Sequence, residues 1–289
     1  MPGLAEHLHR PVELELHPGD SGRIAAQMVK AAAPDGHTLL VATLGTHALV
    51  PAVDPACGYH PLKDFTPISL LLKAPLILAV PSSAGVHSVA ALIEVARAAD
   101  PPLIYGSSAV GGAPHLAAEL FAHRVGITLQ HARYSDTREL YADLIAGRIG
   151  LSFNNIMSML PLIREGQLVP LGTTSARPHP ALPDVPPIAG AGLSDYEVTN
   201  WLGLVAPAGL SPAAVTEISA GLAAAARDVA AANVGSDITA GTAADFAALI
   251  RSEYQRWKPI VRELGWTGVG ASQSMLSGPC LTHDRLRKF

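Results

Sequence analysis

The segment Gly106-Ser107-Ser108-Ala109-Val110-Gly111-Gly112-Ala113-Pro114-His115 follows an apolar run, Leu103-Ile104-Tyr105. After it, Leu116, Leu120 and Phe121 share one face, with Glu119 and His123 between them. This spacing predicts a buried strand, a small polar loop and a helix. A helix N-terminus presents unpaired N–H groups and partial positive charge, so the loop suits a carboxylate or phosphate. One such loop also reads as a tight strand-to-helix turn that binds nothing. The loop lacks the machinery of two familiar chemistries. Val110 stands where a nucleophile elbow needs its second glycine, so a serine hydrolase using Ser107 or Ser108 is only an alternative. Ala113 follows the glycines where a phosphate loop needs lysine, which argues against a nucleotide.

Three further strand ends have the same polar character. Thr43-Leu44-Gly45-Thr46-His47 closes a predicted strand over 37–43, Tyr134-Ser135-Asp136 closes one over 128–133, and Asn154-Asn155 closes one over 149–153. Each is followed by an apolar helical pattern. Four such ends favour a ligand site over chance. His47 and His115 adjoin these loops, where an imidazole either donates to a carboxylate or braces the turn. Trp201, beside Asn200 and Gly203, is either a wall of the site or core packing.

These loops need elements to hold them. Val12, Leu14 and Leu16 alternate with Glu13 and Glu15, predicting a strand, and the next helix would turn Ile24, Met28 and Val29 inward. Strands are predicted at 66–72, 76–80, 168–173 and 198–206. A helix over 88–99 would bury Leu92, Ile93, Val95 and Ala96, and long helices are predicted at 213–231 and 242–264. Alternating strands and helices imply parallel α/β sheets with ligands beyond the strand carboxyl ends. The last helices have no strand-rich domain of their own and should pack back on the N-terminal half.

The 289 residues, 49% hydrophobic, suffice for two cores. Only 15% are charged and the net charge is −4, which is not a nucleic-acid footprint. The apolar stretch 68–80 is broken by Lys73 and Pro75, too short to span a bilayer. The two cysteines, Cys57 and Cys280, offer no metal spacing or disulfide framework, and the twelve histidines contain no paired helical ligand motif. No metal and no cofactor is expected.

The ordered motifs Pro34-Asp35-Gly36-His37-Thr38-Leu39-Leu40, Gly45-Thr46-His47, Lys63-Asp64-Phe65-Thr66-Pro67, Leu182-Pro183-Asp184-Val185-Pro186, Trp201-Leu202-Gly203 and Ala206-Pro207-Ala208-Gly209 resemble the Bug family. These are periplasmic solute-binding proteins of tripartite tricarboxylate transporters. The resemblance runs from about residue 4 to 265. It implies an α/β, type 2 periplasmic-binding-protein fold: two doubly wound α/β domains joined by crossing strands, closing like a Venus flytrap on a small carboxylate. Domain 1 would comprise 1–104 plus 206–268, domain 2 would comprise 105–205, and 269–289 would be an irregular tail.

By the same resemblance, Thr43, Gly45, Thr46, His47, Ser107, Ser108, Gly111, Gly112, His115, Tyr134, Asp136, Asn154, Asn155 and Trp201 would be ligand-binding. No residue would be catalytic. The partners would be a di- or tricarboxylate and the membrane subunits of the transporter, with a monomeric protein in the periplasm and no nucleic acid. Two departures stand out. Asn154-Asn155 occupies the place of the family's Asp-Asn, which favours ligands without an ammonium group, because an ionised Asp only accepts hydrogen bonds. By the resemblance the chain would also start inside the family's first helix, without the signal peptide, first strand and first ligand loop, through either a start placed too far downstream or a real truncation. On that reading a central strand would be lacking between 12–16 and 37–43, and a truncated paralogue that no longer binds is a further alternative.

Overall fold

A computed structural model describes residues 2–17, 20–108, 110–232, 238, 240–266 and 281–282. The elements run in order as α1 (Pro2–Leu8), α2 (Arg23–Ala31), β1 (Leu40–Thr43), a π-helical turn (Gly45–Leu49) continuing into α3 (Val50–Val53), and β2 (Phe65–Pro81). Next come α4 (Val89–Ala98), β3 (Ile104–Ser107), α5 (Ala113–Val125), β4 (Gln130–Arg133), α6 (Thr137–Ile145), β5 (Leu151–Asn155), α7 (Ile156–Arg164) and β6 (Leu168–Thr173). The chain continues with β7 (Thr199–Pro207), α8 (Pro212–Ala232), α9 (Ala243–Glu263) and β8 (Leu281–Thr282).

Two compact units emerge, 1–73 with 201–272 and 74–200 with 273–289, and β2 and β7 run from one into the other. The first boundary falls at Lys73, thirty-one residues before the expected 104, because the second half of β2 pairs with β5 and β6 and α4 packs beside 188–191. The two strands expected at 66–72 and 76–80 are one strand, β2. Pro75 falls between the Leu72–Ile238 bridge and the Leu76–Asn155 pair, where its missing N–H is tolerated.

In unit 1, β1 pairs antiparallel with β7, Ala42 facing Gly203. A Cβ on Gly203 would lie 2.2 Å from Phe246 Cζ, so only glycine lets the α9 aromatic lie on the strand. Trp201 completes this contact, its ring 5.7 Å from Phe246. A second cluster joins Leu4 of α1, Ile68 of β2, Leu204 and Ala206 of β7, and Ile218 and Leu222 of α8. The late helices therefore complete the core of the early chain.

In unit 2 the strand order is β6-β2-β5-β3-β4, and β8 adds parallel to β4. The sheet is mixed where parallel pairing was expected: β3 runs parallel to β4 and β5, while β2 runs antiparallel to β5 and β6. The antiparallel strand is the one that enters from unit 1. Its core gathers Ile77, Ala79, Ala132, Tyr134, Leu140, Leu144 and Met159.

Several local expectations need correction. Residues 12–16 form no strand, and Leu14 and Leu16 are 64% and 80% exposed. On α2 the buried residues are Ala26 and Val29, whereas Ile24 and Met28 face out. On α4 Val89, Leu92 and Ala96 are buried and Val95 is exposed, because the Ser88 cap sets the helix phase, with Ser88 Oγ accepting from Ala91 N–H at 3.1 Å. Within the tail, Leu281 and Thr282 form a strand; Cys280 and most of 269–289 lie outside the described residues. No described helix is long and apolar enough to cross a membrane.

Candidate functional site

The parallel set β3, β4 and β5 ends at Ser107, Arg133 and Asn155, which places those ends on one edge of the unit 2 sheet. β6 is antiparallel to β2, as β5 is, so its end at Thr173 lies on the same edge. The helices α5, α6 and α7 all begin there. The sheet thus brings together three of the predicted loops, 107–112, 134–136 and 154–155.

The three helix N-termini differ in what they leave open. Asp136 caps α6, its Oδ1 accepting from Arg138 N–H at 2.8 Å, and its carboxylate is paired with the Arg138 guanidinium. Those hydrogen bonds hold the Asp136 carboxyl below its usual range. This helix end already carries its anion. Gly112 at α5 and Asn155 at α7 provide no side-chain cap, so the leading N–H groups of both helices lack a side-chain acceptor at the cap.

Beneath the glycine loop lies a buried polar cluster. Ser107, fully buried, has its Oγ 2.8 Å from His131 Nε2, and Gly111 N–H donates to His115 Nδ1 at 3.3 Å. Gly111 has φ of 74°, a left-handed turn that glycine adopts without strain. The His115 and His131 rings meet edge to face at 4.8 Å, and Tyr105 stacks on His131 at 4.8 Å while donating to Glu119 at 2.5 Å. Burial pushes the His115 pKa down to about 3 and that of His131 to about 4, with neighbouring positive charge as a smaller cause. Both rings are neutral at pH 7, and His115 braces the loop.

A serine and a histidine at 2.8 Å have the spacing of a nucleophile and its base. Ser107 Oγ is sealed from solvent, so no substrate carbonyl reaches it, and Ser108 is the exposed hydroxyl of the pair. Tyr134 is also fully buried: its hydroxyl donates to Asp143 at 2.8 Å, and Arg148 holds the same carboxylate. Burial, and then Asp143, raise the Tyr134 pKa. Its place is the core behind the loop.

Asn154 Oδ1 accepts from Asn155 N–H at 3.0 Å, and Asn155 Oδ1 accepts from Asn200 Nδ2 at 3.1 Å. Both side-chain oxygens are engaged. Asn200 and the end Thr173-Thr174-Ser175 are not among the predicted site residues, although the latter has the same polar strand-end signature. Thr174 ties the edge together, accepting from Leu76 N–H at 2.8 Å and donating to Val198 O at 2.5 Å.

The remaining candidates belong to unit 1. Thr43 and Thr46 form a reciprocal box, Thr43 N–H donating to Thr46 Oγ1 at 2.9 Å and Thr46 N–H to Thr43 Oγ1 at 3.2 Å. This closes β1 and starts the π-helical turn, in which Gly45, Thr46 and His47 are buried. His47 packs 4.8 Å from the Phe65 ring, and burial lowers its pKa to about 3. His47 Nε2 and Trp201 Nε1 are buried atoms without a hydrogen-bond partner. Among the described residues no cluster of His, Cys, Asp and Glu could hold a metal ion.

The chain is similar to known proteins in both sequence and fold. The profile of the tripartite tricarboxylate transporter family receptor matches residues 1–266. The chain is 32% identical over 269 residues to the UPF0065 protein in the tcbD-tcbE intergenic region of Pseudomonas sp. (strain P51), covering 90% of this chain and 79% of that protein. Among solved structures it is similar to Rpa4515 of R. palustris with adipate, at 32% identity and TM-score 0.79, covering 91% and 90% of the two chains. It is also similar to MatC of Rhodopseudomonas palustris with bound malate, at 28% identity and TM-score 0.79, covering 90% of each. The chain belongs to the tripartite tricarboxylate transporter receptor family, whose members are periplasmic solute-binding proteins and not enzymes.

Proposed function

We propose that this protein captures a small di- or tricarboxylate, without an ammonium group, in the periplasm and presents it to the membrane subunits of a tripartite tricarboxylate transporter. The observation that carries the reading is the pair of helix N-termini at Gly112 and Asn155, free of side-chain caps on one sheet edge, beside a third that Asp136 occupies. The uncapped N–H groups at the start of α5, with the Ser108 hydroxyl, would take one carboxylate. The side-chain nitrogens of Asn154 and Asn155 would donate to another ligand oxygen, since their oxygens are already engaged. Adipate and malate in the similar structures support the ligand class.

A hydrogen bond to a charged group contributes about 1.5–3 kcal/mol, so three or four contribute about 5–12 kcal/mol, the same order as the roughly −8 kcal/mol net of a micromolar complex, with apolar burial and closure left to offset the association cost. No catalytic group is required, and none of the proposed contacts breaks a covalent bond. A melting-temperature screen tests the reading: succinate, malate, adipate and citrate should raise Tm in proportion to occupancy, with aspartate and glutamate weaker. Stabilisation by the amino acids alone would overturn the ligand class, and turnover of an activated ester that Ser108→Ala abolishes would overturn the binding role.

A further inference from the structure

Arg133 is the last residue of β4 and is exposed. In the parallel register it stands opposite Ser107, as His131 stands opposite Tyr105, and residues in register on neighbouring strands share one face of the sheet. That face is the one α5 covers: the Tyr105 hydroxyl donates to Glu119 of α5, and the His131 ring meets His115 of α5. Ala132 and Tyr134 turn the other way, into the core with Leu140 and Leu144 of α6. Arg133 therefore stands on the edge where β3 gives way to the glycine loop, on the side from which α5 begins. Its charge reaches the buried cluster there, since burial first and then the Arg133 charge lower the His131 pKa.

The carboxylates around Arg133 are taken by other groups. Asp136, three residues on, is paired with Arg138, Asp143 is held by Arg148 and Tyr134, and Glu119 accepts from Tyr105. Among the described residues no carboxylate pairs with Arg133. The helix ends at Gly112 and Asn155 carry only partial charge, and the Asn154 and Asn155 amides carry none. A guanidinium adds a full unit of charge and a planar fork of N–H donors that matches a carboxylate.

We propose that Arg133 forms an ion pair with one carboxylate of the ligand, together with the start of α5, and so makes the site select anions over neutral molecules of the same shape. The inference rests on the carboxylate-binding reading above and names the residue that supplies its charge. β3 lies between β4 and β5, so Arg133 and Asn155 flank the glycine loop from opposite sides. A dicarboxylate lying across the loop would place one end at the guanidinium and the other at the amides.

The test is titration calorimetry of the full chain with adipate and malate, at low and at physiological ionic strength. Arg133→Gln should weaken binding by about tenfold or more and flatten the salt dependence of Kd, because the ion pair is the screened contact. Arg133→Lys should recover part of the loss, keeping the charge without the fork. Arg177→Gln removes an exposed guanidinium that follows β6, at the far side of the sheet, and should leave Kd within about twofold. A loss of the same size at Arg177 would mean diffuse attraction and would overturn the pairing. Tm without ligand should not change in Arg133→Gln, and a fall in Tm with no change in salt dependence would assign Arg133 to structure instead. Unchanged affinity in Arg133→Gln, when the native chain binds adipate or malate, would overturn this inference alone. Failure of the native chain to bind either would overturn the carboxylate reading together with it.

Discussion

Acidification should loosen unit 2 more than unit 1, because burial strongly depresses two histidine pKa values in unit 2, those of His115 and His131, and one in unit 1, that of His47, beside the partly exposed His60, which burial also lowers. The folded pKa values are about 3 for His115, about 4 for His131 and about 3 for His47, all depressed by burial. Well above pH 6.5 these rings are neutral in both folded and unfolded chains and contribute no pH dependence. Below that value the unfolded chain takes up protons that the folded one refuses, so stability falls as pH falls, by up to about 1.4 kcal/mol per pH unit for each ring. Between pH 7 and pH 5 each ring removes about 2 kcal/mol, hence about 4 for unit 2, a large part of a domain's ordinary 5–15. Glu119 acts in the opposite sense: burial raises its pKa, so the proton it holds when folded offsets part of the loss in unit 2.

Urea unfolding at pH 7, 6 and 5 reads this directly. Trp201, Trp257 and Trp266 all lie in unit 1, so tryptophan fluorescence follows that unit, while near-ultraviolet tyrosine dichroism includes Tyr105, Tyr134, Tyr141 and Tyr196 of unit 2. His131→Gln should remove about half of the histidine-linked pH slope in unit 2, and a second change, His115→Gln, most of the rest. A slope unchanged in the double variant, or a unit 2 equally stable at pH 7 and pH 5, would refute the reasoning.

Three other outcomes follow from single contacts. Gly203→Ala should destabilise unit 1 by about 1–3 kcal/mol or more in urea unfolding, because the new Cβ would lie 2.2 Å from Phe246. Tyr134→Phe should cost about 1–3 kcal/mol by leaving one oxygen of the buried Asp143 carboxylate without its donor, and pairing by Arg148 should keep the protein folded at 25 °C. Asn155→Asp should weaken dicarboxylate binding at least tenfold in calorimetry and favour ligands with an ammonium group, because a donor becomes an acceptor beside the ligand.

The helices and most strands are legible in the sequence because their periodicity survives burial on one face. Leu140 and Leu144 on α6 and the whole of β6 illustrate this. β2 reads as two strands because Lys73 and Pro75 look like a break, although a strand leaving one set of partners for another tolerates a proline at the exchange. The alternation at 12–16 resembles a strand, but alternation supplies no partner, and pairing is decided by neighbours distant in sequence. Ile24 and Met28 depart from expectation for a related reason: helical spacing identifies a stripe, and only the packed neighbours decide which stripe faces in.

The polar strand ends are readable as a set because strand, small polar residues and helix recur in order. Their depth is not. Thr46, His47, Ser107, His115 and Tyr134 are buried and tied to protein partners, a distinction that residue type does not carry. Asn200 gives no local signal because its partnership with Asn155 spans forty-five residues.

The most direct test of carboxylate capture is titration calorimetry of the full chain at pH 7 with malate and adipate, beside succinate and citrate. At least one should give a saturable one-to-one isotherm with Kd near micromolar, weakened at least tenfold by Asn155→Asp. Folded protein that takes up none of the four would contradict the account.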